Sequence, residues 1–258
     1  NNKKLNIAAS IQARMGSSRL PGKVMKDVFG KPLLLRQIER IQKCQNIQEI
    51  IVSTTTNTKD DPIVEMCKEN SILYFRGSED NVLDRIARTI NNFEIDIHAE
   101  FVGDSPLPDC ELIDSYINMF LNEIDNIDYL SNCINTTFPP GMDIILYKSE
   151  VLTQLNNELN KEDPLREHVG YNITRFPEKF RLKSLNAPSE YFDPNLYLEV
   201  DTEEDFFLIK TIFQHFLDQE KEYFSLKDIL KFISTQPQLR KLNSDVKRNW
   251  KSLRGEDT

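Results

Sequence analysis

The chain has 258 residues, 39% hydrophobic and 28% charged, with 32 Lys+Arg against 41 Asp+Glu and a formal net charge of −9. A chain of this length buries enough apolar surface to fold without disulfide or metal staples. The acidic balance argues against a nucleic-acid binder or an anionic-membrane protein, both of which present a basic face. Any anionic ligand must be held by local positive charge, against the sign of the whole.

Two periodicities alternate along the first half. Leu5–Ile11 and Glu49–Thr54 are short apolar runs between polar loops, the pattern of buried strands. Between them, Pro32 to Cys44 carries Leu34, Leu35, Ile38 and Ile41 at helical spacing. Asp60–Asn70 reads as a helix, Ile72–Phe75 as a strand and Asp80–Phe93 as a helix with Val82, Leu83, Ile86 and Ile90 on one face. Ile97–Val102 is a strand, and Asp109–Ile124 a helix. Strand and helix in alternation predict a parallel sheet covered by helices. The second half is less regular. Asp128–Asn132 and Ile144–Tyr147 read as strands around a Pro139-Pro140-Gly141 turn, and Glu167–Arg175 as a helix ended before Pro177. Phe180–Leu185 and Leu196–Val200 are expected strands, and Thr202–Leu217 and Leu226–Ile233 helices. The polar tail from Gln236 is expected to be partly loose.

Cys44, Cys67, Cys110 and Cys133 form no CxxC pair, and His98, His168 and His215 are widely spaced. A zinc site local in sequence is not expected, and the cysteines read as reduced core thiols. Apolar stretches are strand-length, below the ~20 residues of a membrane span. The first ten residues lack the apolar core of a signal peptide, so a cytoplasmic location is expected.

Ligands of open parallel sheets bind beyond the carboxyl ends of the strands. The loop after the first strand runs Gln12-Ala13-Arg14-Met15-Gly16-Ser17-Ser18-Arg19-Leu20-Pro21-Gly22-Lys23. From Arg14 to Lys31 the bases Arg14, Arg19, Lys23, Lys26 and Lys31 meet one acid, Asp27. Glycines and serines leave backbone N–H groups free to approach an anion, and arginine forks onto phosphate oxygens. It is not a Walker A loop: five residues separate Gly16 from Gly22-Lys23, and Val24 stands where a magnesium-binding Ser or Thr would be. A phosphate-binding loop and a solvated basic turn both fit. After Ile97–Val102 comes Gly103-Asp104-Ser105-Pro106, and after Leu196–Val200 comes Asp201-Thr202-Glu203-Glu204-Asp205, with Thr202 as an expected N-cap. Asp104 and Asp201 at two strand ends, facing a basic loop, suit magnesium on a nucleoside triphosphate.

With these residues in place, the chain resembles the sugar-acid cytidylyltransferases. The Ile11–Lys23 loop carries the resemblance most specifically, joined by Gly77-Ser78-Glu79-Asp80-Asn81-Val82-Leu83-Asp84-Arg85, Gly103-Asp104-Ser105-Pro106-Leu107, Arg166-Glu167-His168-Val169 and Val200–Asp205. These blocks follow family order from about residue 7 to 213. The resemblance implies a Rossmann-like nucleotide-diphospho-sugar transferase fold, a mixed, mostly parallel sheet covered by helices with an inserted strand lobe. One domain would span 1–240, its insert at about 135–195 serving acceptor binding and dimerisation, followed by a polar tail, 241–258. The implied reaction is transfer of CMP from CTP to an acidic sugar or related acceptor, with Mg2+ and release of pyrophosphate, and the implied assembly is a homodimer. Ala13, Arg14, Met15, Gly16, Ser17, Ser18, Arg19 and Lys23 would hold the triphosphate, with Gly77, Ser78, Asp80 and Asp84 near base and ribose. Lys23, Arg19 and Asp104 would be catalytic, Asp104 and Asp201 would bind metal, and Arg166, His168 and Asp143 would face the acceptor. One departure bears on the acceptor: where the family often has a basic residue and a Thr, this chain has Ala99-Glu100-Phe101-Val102. The alternatives are a glycosyltransferase of similar fold, which would use an Asp-x-Asp motif not found after a strand in the first half, and a catalytically silent relative.

Overall fold

The computed structural model describes residues 4–256. Its first strand, β1 (Ile7–Gln12), pairs in parallel with β4 (Glu49–Thr55) on one side and β6 (Ile97–Val102) on the other. β5 (Leu73–Gly77) continues the parallel sheet outside β4. Beyond β6 the direction changes: β8 (Ile145–Lys148) is antiparallel to β6 and to β7 (Tyr129–Ser131), while β9 (Leu182–Ser184) runs parallel to β7. Among the described residues the sheet therefore has seven strands in the order β5-β4-β1-β6-β8-β7-β9. A two-stranded hairpin, β2 (Asp27–Val28) and β3 (Lys31–Pro32), stands apart.

Helices cover both faces: α1 (Leu33–Ile41), α2 (Asp61–Glu69), α3 (Val82–Asn92), α4 (Cys110–Asn122), α5 (Ser149–Glu158), α6 (Glu203–Leu217), α7 (Leu226–Thr235) and the short α8 (Asn249–Leu253). The period of two in β1 separates two cores. Ile7, Ala9 and Ile11 join Leu34 and Ile38 of α1, Ile117 of α4 and Ile209 of α6, whereas Ala8 joins Leu83 and Ile86 of α3 and Leu152 of α5. Burial on both faces explains why these strands read as continuous apolar runs. The cysteines are all free, Cys44, Cys67 and Cys133 among the buried residues.

The second half departs from the sequence pattern in four places. Leu196–Val200 is no strand, although Leu196, Leu198 and Val200 are buried. Its amides bond loops instead: Leu198 N–H donates to Pro140 O at 2.7 Å and Val200 N–H to Asp104 O at 2.8 Å. Glu167–Arg175 is not one helix, because Gly170 takes a left-handed φ of 55° against Glu100, and only 3-10 turns form at Pro164–Arg166 and Gly170–Arg175. Ser149–Glu158, left without an expected element, is α5, whose Val151, Leu152 and Leu155 fill one face. The tail is docked, with Asn243 and Arg248 buried.

Chain order and spatial order part at β1: the chain moves first towards β4 and β5, then returns to β6 on the opposite side. Loops after β1 and β6 consequently leave a crevice at the carboxyl edge. Gly141 shapes the floor of the adjoining turn. At φ 103°, a Cβ there would lie 2.5 Å from the carbonyl carbon of Leu198, within backbone that cannot yield. Gly141→Ala is expected to cost about 2 kcal/mol or more, seen as a melting-temperature drop of roughly 5 °C; an unchanged melting curve would show that this backbone contact is slack.

Candidate active site

The loop after β1 is held from beneath. Ala13 N–H donates to Ser53 O at 3.1 Å, and Met15 N–H to the Asp60 carboxylate at 2.7 Å. Asp60 also accepts from the Thr55 hydroxyl, and only 2% of it is exposed. Gly22, at φ 71°, closes the loop by donating to Met15 O at 2.8 Å, then Lys23 opens a single 3-10 turn. Gly103 brings β6 against this loop: a Cβ would meet Val24 and Ala13 at 3.1 and 3.2 Å. Arg14, Gly16, Ser18 and Arg19 are left exposed. Asp60 was not singled out from the sequence; its signal there is only an acid opening a helix.

Lys23 is the meeting point. Its Nζ lies 3.2 Å from Asp201 Oδ1 and 3.7 Å from Asp104 Oδ2. Arg19 Nη2 stands 3.3 Å from Asp201 Oδ2. The bond from Val200 N–H to Asp104 O ties the two acid-bearing segments together directly before and at the acids themselves. Burial pushes the Asp104 carboxyl up, Lys23 opposes that shift, and the adjacent Asp201 charge adds to it. Two carboxylates crowded on one ammonium fit the oxygen donors that magnesium takes beside phosphate oxygens and water. Among the described residues no group of three or more His, Cys, Asp or Glu is placed to hold a metal, so ligand oxygens would have to complete the shell.

Residues 8–243 match the cytidylyltransferase family. The chain belongs to that family. It is 30% identical over 213 residues to the spore coat polysaccharide biosynthesis protein SpsF of Bacillus subtilis, covering 81% of this chain and 87% of that one. It is 32% identical over 129 residues to the 3-deoxy-manno-octulosonate cytidylyltransferase of Christiangramia forsetii, half of this chain and 51% of the relative. A cytidylyltransferase structure from Leptospira borgpetersenii superposes with a TM-score of 0.84 at 31% identity, over 92% of this chain and 97% of the other. The chain is thus a nucleotidyltransferase that uses CTP, with the Rossmann-like fold of its relatives. The glycosyltransferase alternative is set aside.

Around this cytidylyltransferase site the other expected residues divide. Asp143 borders it: its charge reinforces the upward shift of Asp104, and it pairs with Arg254 at 3.3 Å. Gly77 packs so close to α3 that a Cβ would lie 2.8 Å from Arg85 Cγ, and Ser78 O accepts from Arg85 Nη1 at 2.8 Å. Asp80 is exposed. Two of the expected residues make contacts within the scaffold. The Asp84 carboxylate pairs with Arg88 at 2.9 Å and accepts from Asn156 at 3.2 Å, facing α5. Arg166 is buried and donates to the carbonyls of Asn156, Leu159 and Asn160 at the end of α5, and to the side chains of Asn156 and, at 3.4 Å, Asn81. His168 is exposed on the bend between the 3-10 turns.

One acid near the site went unremarked as a site residue. Glu199 is pushed up to about 8 by burial, reinforced by Asp201 and Asp104, and accepts from Trp250 Nε1 at 2.6 Å. Deeper on the α3 and α5 side, Glu100 of the departing block accepts from the Tyr147 hydroxyl at 2.8 Å beneath Gly170. Burial raises its carboxyl to about 7, with the Tyr147 bond opposing. Tyr129 and the edge of the Tyr147-packed His98 ring complete its surroundings, and His98 is pushed down to about 3 by burial and so stays neutral.

Two outcomes follow from these contacts. Asp60→Ala leaves the Met15 amide and Thr55 hydroxyl without their acceptor, and is expected to cost about 1–3 kcal/mol in urea unfolding and to raise the KM for CTP. Because the folded carboxyl of Glu100 titrates above its unfolded value, the folded state binds the extra proton between about 4.5 and 7. Stability should therefore fall as pH rises through that window. Glu100→Gln should flatten that fall, with melting temperatures at pH 5 and pH 8 brought closer together than in the wild type; an unaltered difference would place the titrating group elsewhere.

Proposed function

We propose that this cytidylyltransferase transfers CMP from CTP to a hydroxyl of an acidic sugar or a related acidic acceptor, releasing pyrophosphate, in the building of a surface polysaccharide or glycoconjugate. The observation that carries the reading is the approach of Lys23 Nζ to both Asp201 and Asp104, at 3.2 and 3.7 Å, beside a loop whose Arg14, Ser18 and Arg19 are exposed. The acceptor class follows the motif resemblance and the names of the relatives.

In this reaction the acceptor oxygen bonds to the α-phosphorus, and the bond from that phosphorus to the oxygen bridging to the β-phosphorus breaks. The leaving pyrophosphate takes the electron pair, and the acceptor hydroxyl gives up its proton. Such transfer depends on positioning and charge neutralisation more than on covalent chemistry. Lys23 and Arg19 are placed to take up the charge growing on pyrophosphate, and the free N–H groups of the glycine-serine loop to cradle its oxygens. Asp104 and Asp201 would hold magnesium, whose charge when bound neutralises the phosphate oxygens at the reacting centre. Asp143, near enough for its charge to act on Asp104, would help to orient the acceptor hydroxyl.

Pyrophosphate release measured with CTP, UTP, ATP and GTP against a panel of acidic sugars tests the reading. Turnover is expected with CTP and at least one acidic acceptor. Lys23→Ala should lower kcat roughly 10²–10³-fold, the loss of one preorganised electrostatic donor. Near wild-type turnover of that variant at saturating CTP would overturn the role of Lys23.

A further inference from the structure

The segment after α7 returns to the crevice, and one of its side chains is buried beside a metal-site aspartate. Arg248 Nη1 and Nη2 donate to Asp205 Oδ2 and Oδ1 at 3.0 and 2.7 Å, with the two side chains 1% and 0% exposed. Asn243 Nδ2 adds a bond of 2.8 Å to Oδ1. On its other side the same carboxylate accepts the backbone N–H of Asp201 at 2.9 Å and of Thr202 at 3.1 Å. A buried carboxylate gripped by a fork of N–H donors is oriented in two dimensions, as a single ammonium could not orient it. Asp205 thus transmits the position of Arg248 to the backbone of Asp201.

A capping box alone does not call for this arginine. The chain builds a second one at α7, where Asp228 accepts Ser225 N–H at 2.8 Å in the same way. There the cation is Lys221, 43% exposed, on an acid that is 33% exposed. The helix start at α7 is complete without a buried guanidinium, whereas at α6 burying a charge pair carries a desolvation cost that a cap would not by itself require. A separate contact points to the same place. Arg19, which pairs with Asp201, also donates to the carbonyl of Lys247, the residue before Arg248, at 2.7 Å. The tail therefore touches Asp201 from both sides, through its backbone by way of Asp205 and through its carboxylate by way of Arg19.

We propose that Arg248 is a positioning residue for the divalent-cation site: through Asp205 it fixes the backbone from which Asp201 presents its carboxylate. The inference rests on the functional reading above, in which Asp104 and Asp201 hold the ion. Without the guanidinium, Asp205 would lose the two bonds that fix the plane of its carboxylate, keeping Asn243 and the two amides, and would be free to turn away from the Asp201 amide.

The test uses Mn2+ as the probe, titrated into the full chain with CTP and no acceptor, with free Mn2+ read by electron paramagnetic resonance. Arg248→Ala is expected to weaken Mn2+ binding about 10–100-fold, the range for loss of a group that orients a metal ligand. CTP binding measured in EDTA should change far less, because the phosphate loop meets the tail through the Lys247 carbonyl and not through the Arg248 side chain. Arg248→Lys, which keeps the charge and loses the fork, should fall between and serves where the alanine variant does not fold. Asp228→Ala, which opens the other capping box, should lower the melting temperature and leave Mn2+ affinity as it was. Wild-type Mn2+ affinity in a folded Arg248 variant would overturn the proposal, as would an equal loss in Asp228→Ala. Failure of the wild type to bind Mn2+ with CTP would overturn the functional reading, and this inference with it.

Discussion

Everything at the carboxyl edge depends on one ammonium group serving two carboxylates from distant parts of the chain. Lys23 leaves the loop after β1, Asp104 follows β6, and Asp201 precedes α6, yet all three converge within ion-pair distance. Like charges at such range repel, and burial strengthens that repulsion, so a cation between them is a condition of the arrangement. In a chain with net charge −9, this is also how an anionic substrate can be met: from Arg14 to Lys31 the segment carries Arg14, Arg19, Lys23, Lys26 and Lys31 against the single acid Asp27. The reversal of strand order at β1 supplies the crevice in which they meet.

Loops cannot satisfy their own backbone as strands do, and buried carbonyls need donors from elsewhere. Here arginine repeatedly provides them. Arg36 donates to the carbonyls of Val28 and Phe29, Arg40 to Pro108, Arg76 to Thr55 and Asn57, and Arg85 to Ser78. Arg166 does the same for the end of α5. A guanidinium offers five N–H groups in a plane, enough to fasten two or three carbonyls at once. The segments that frame the crevice are therefore fixed by side chains rooted in helices and strands, which gives a catalytic edge built of irregular backbone the rigidity that positioning requires.

The two sides of the crevice differ in what fastens them. On one side, the loop after β1 is closed by its own backbone and by Asp60. The opposite side is assembled from remote pieces, the Pro140-Gly141 turn, the extended 196–200 segment and the tail, joined by single backbone bonds and by Arg248, Trp250 and Arg254. That contrast parallels the motif resemblance, which is most specific in the first loop and departs at Ala99–Val102. Glu100 in that departing block is absorbed into a buried contact with Tyr147 under Gly170.

Elements with a regular apolar period were legible without coordinates. β1, β4, β6, α1, α3 and α4 follow from apolar periodicity, because a buried strand or an amphipathic helix writes its burial directly into residue spacing. The basic loop and its neighbours Asp104 and Asp201 could likewise be named as a cluster of suitable chemistry. Spacing could also have revealed α5, through Val151, Leu152 and Leu155. It could not show that Leu196–Val200 bonds to loops, since a buried extended segment has the same alternation whatever accepts its amides. Nor could it show that Asp84 and Arg166 bond to α5, or that a polar tail carries a buried arginine on Asp205. A charged side chain looks alike in sequence whether water or a distant carboxylate solvates it; periodicity determined the layers of the first half, and only the closed chain decided which charges are paired.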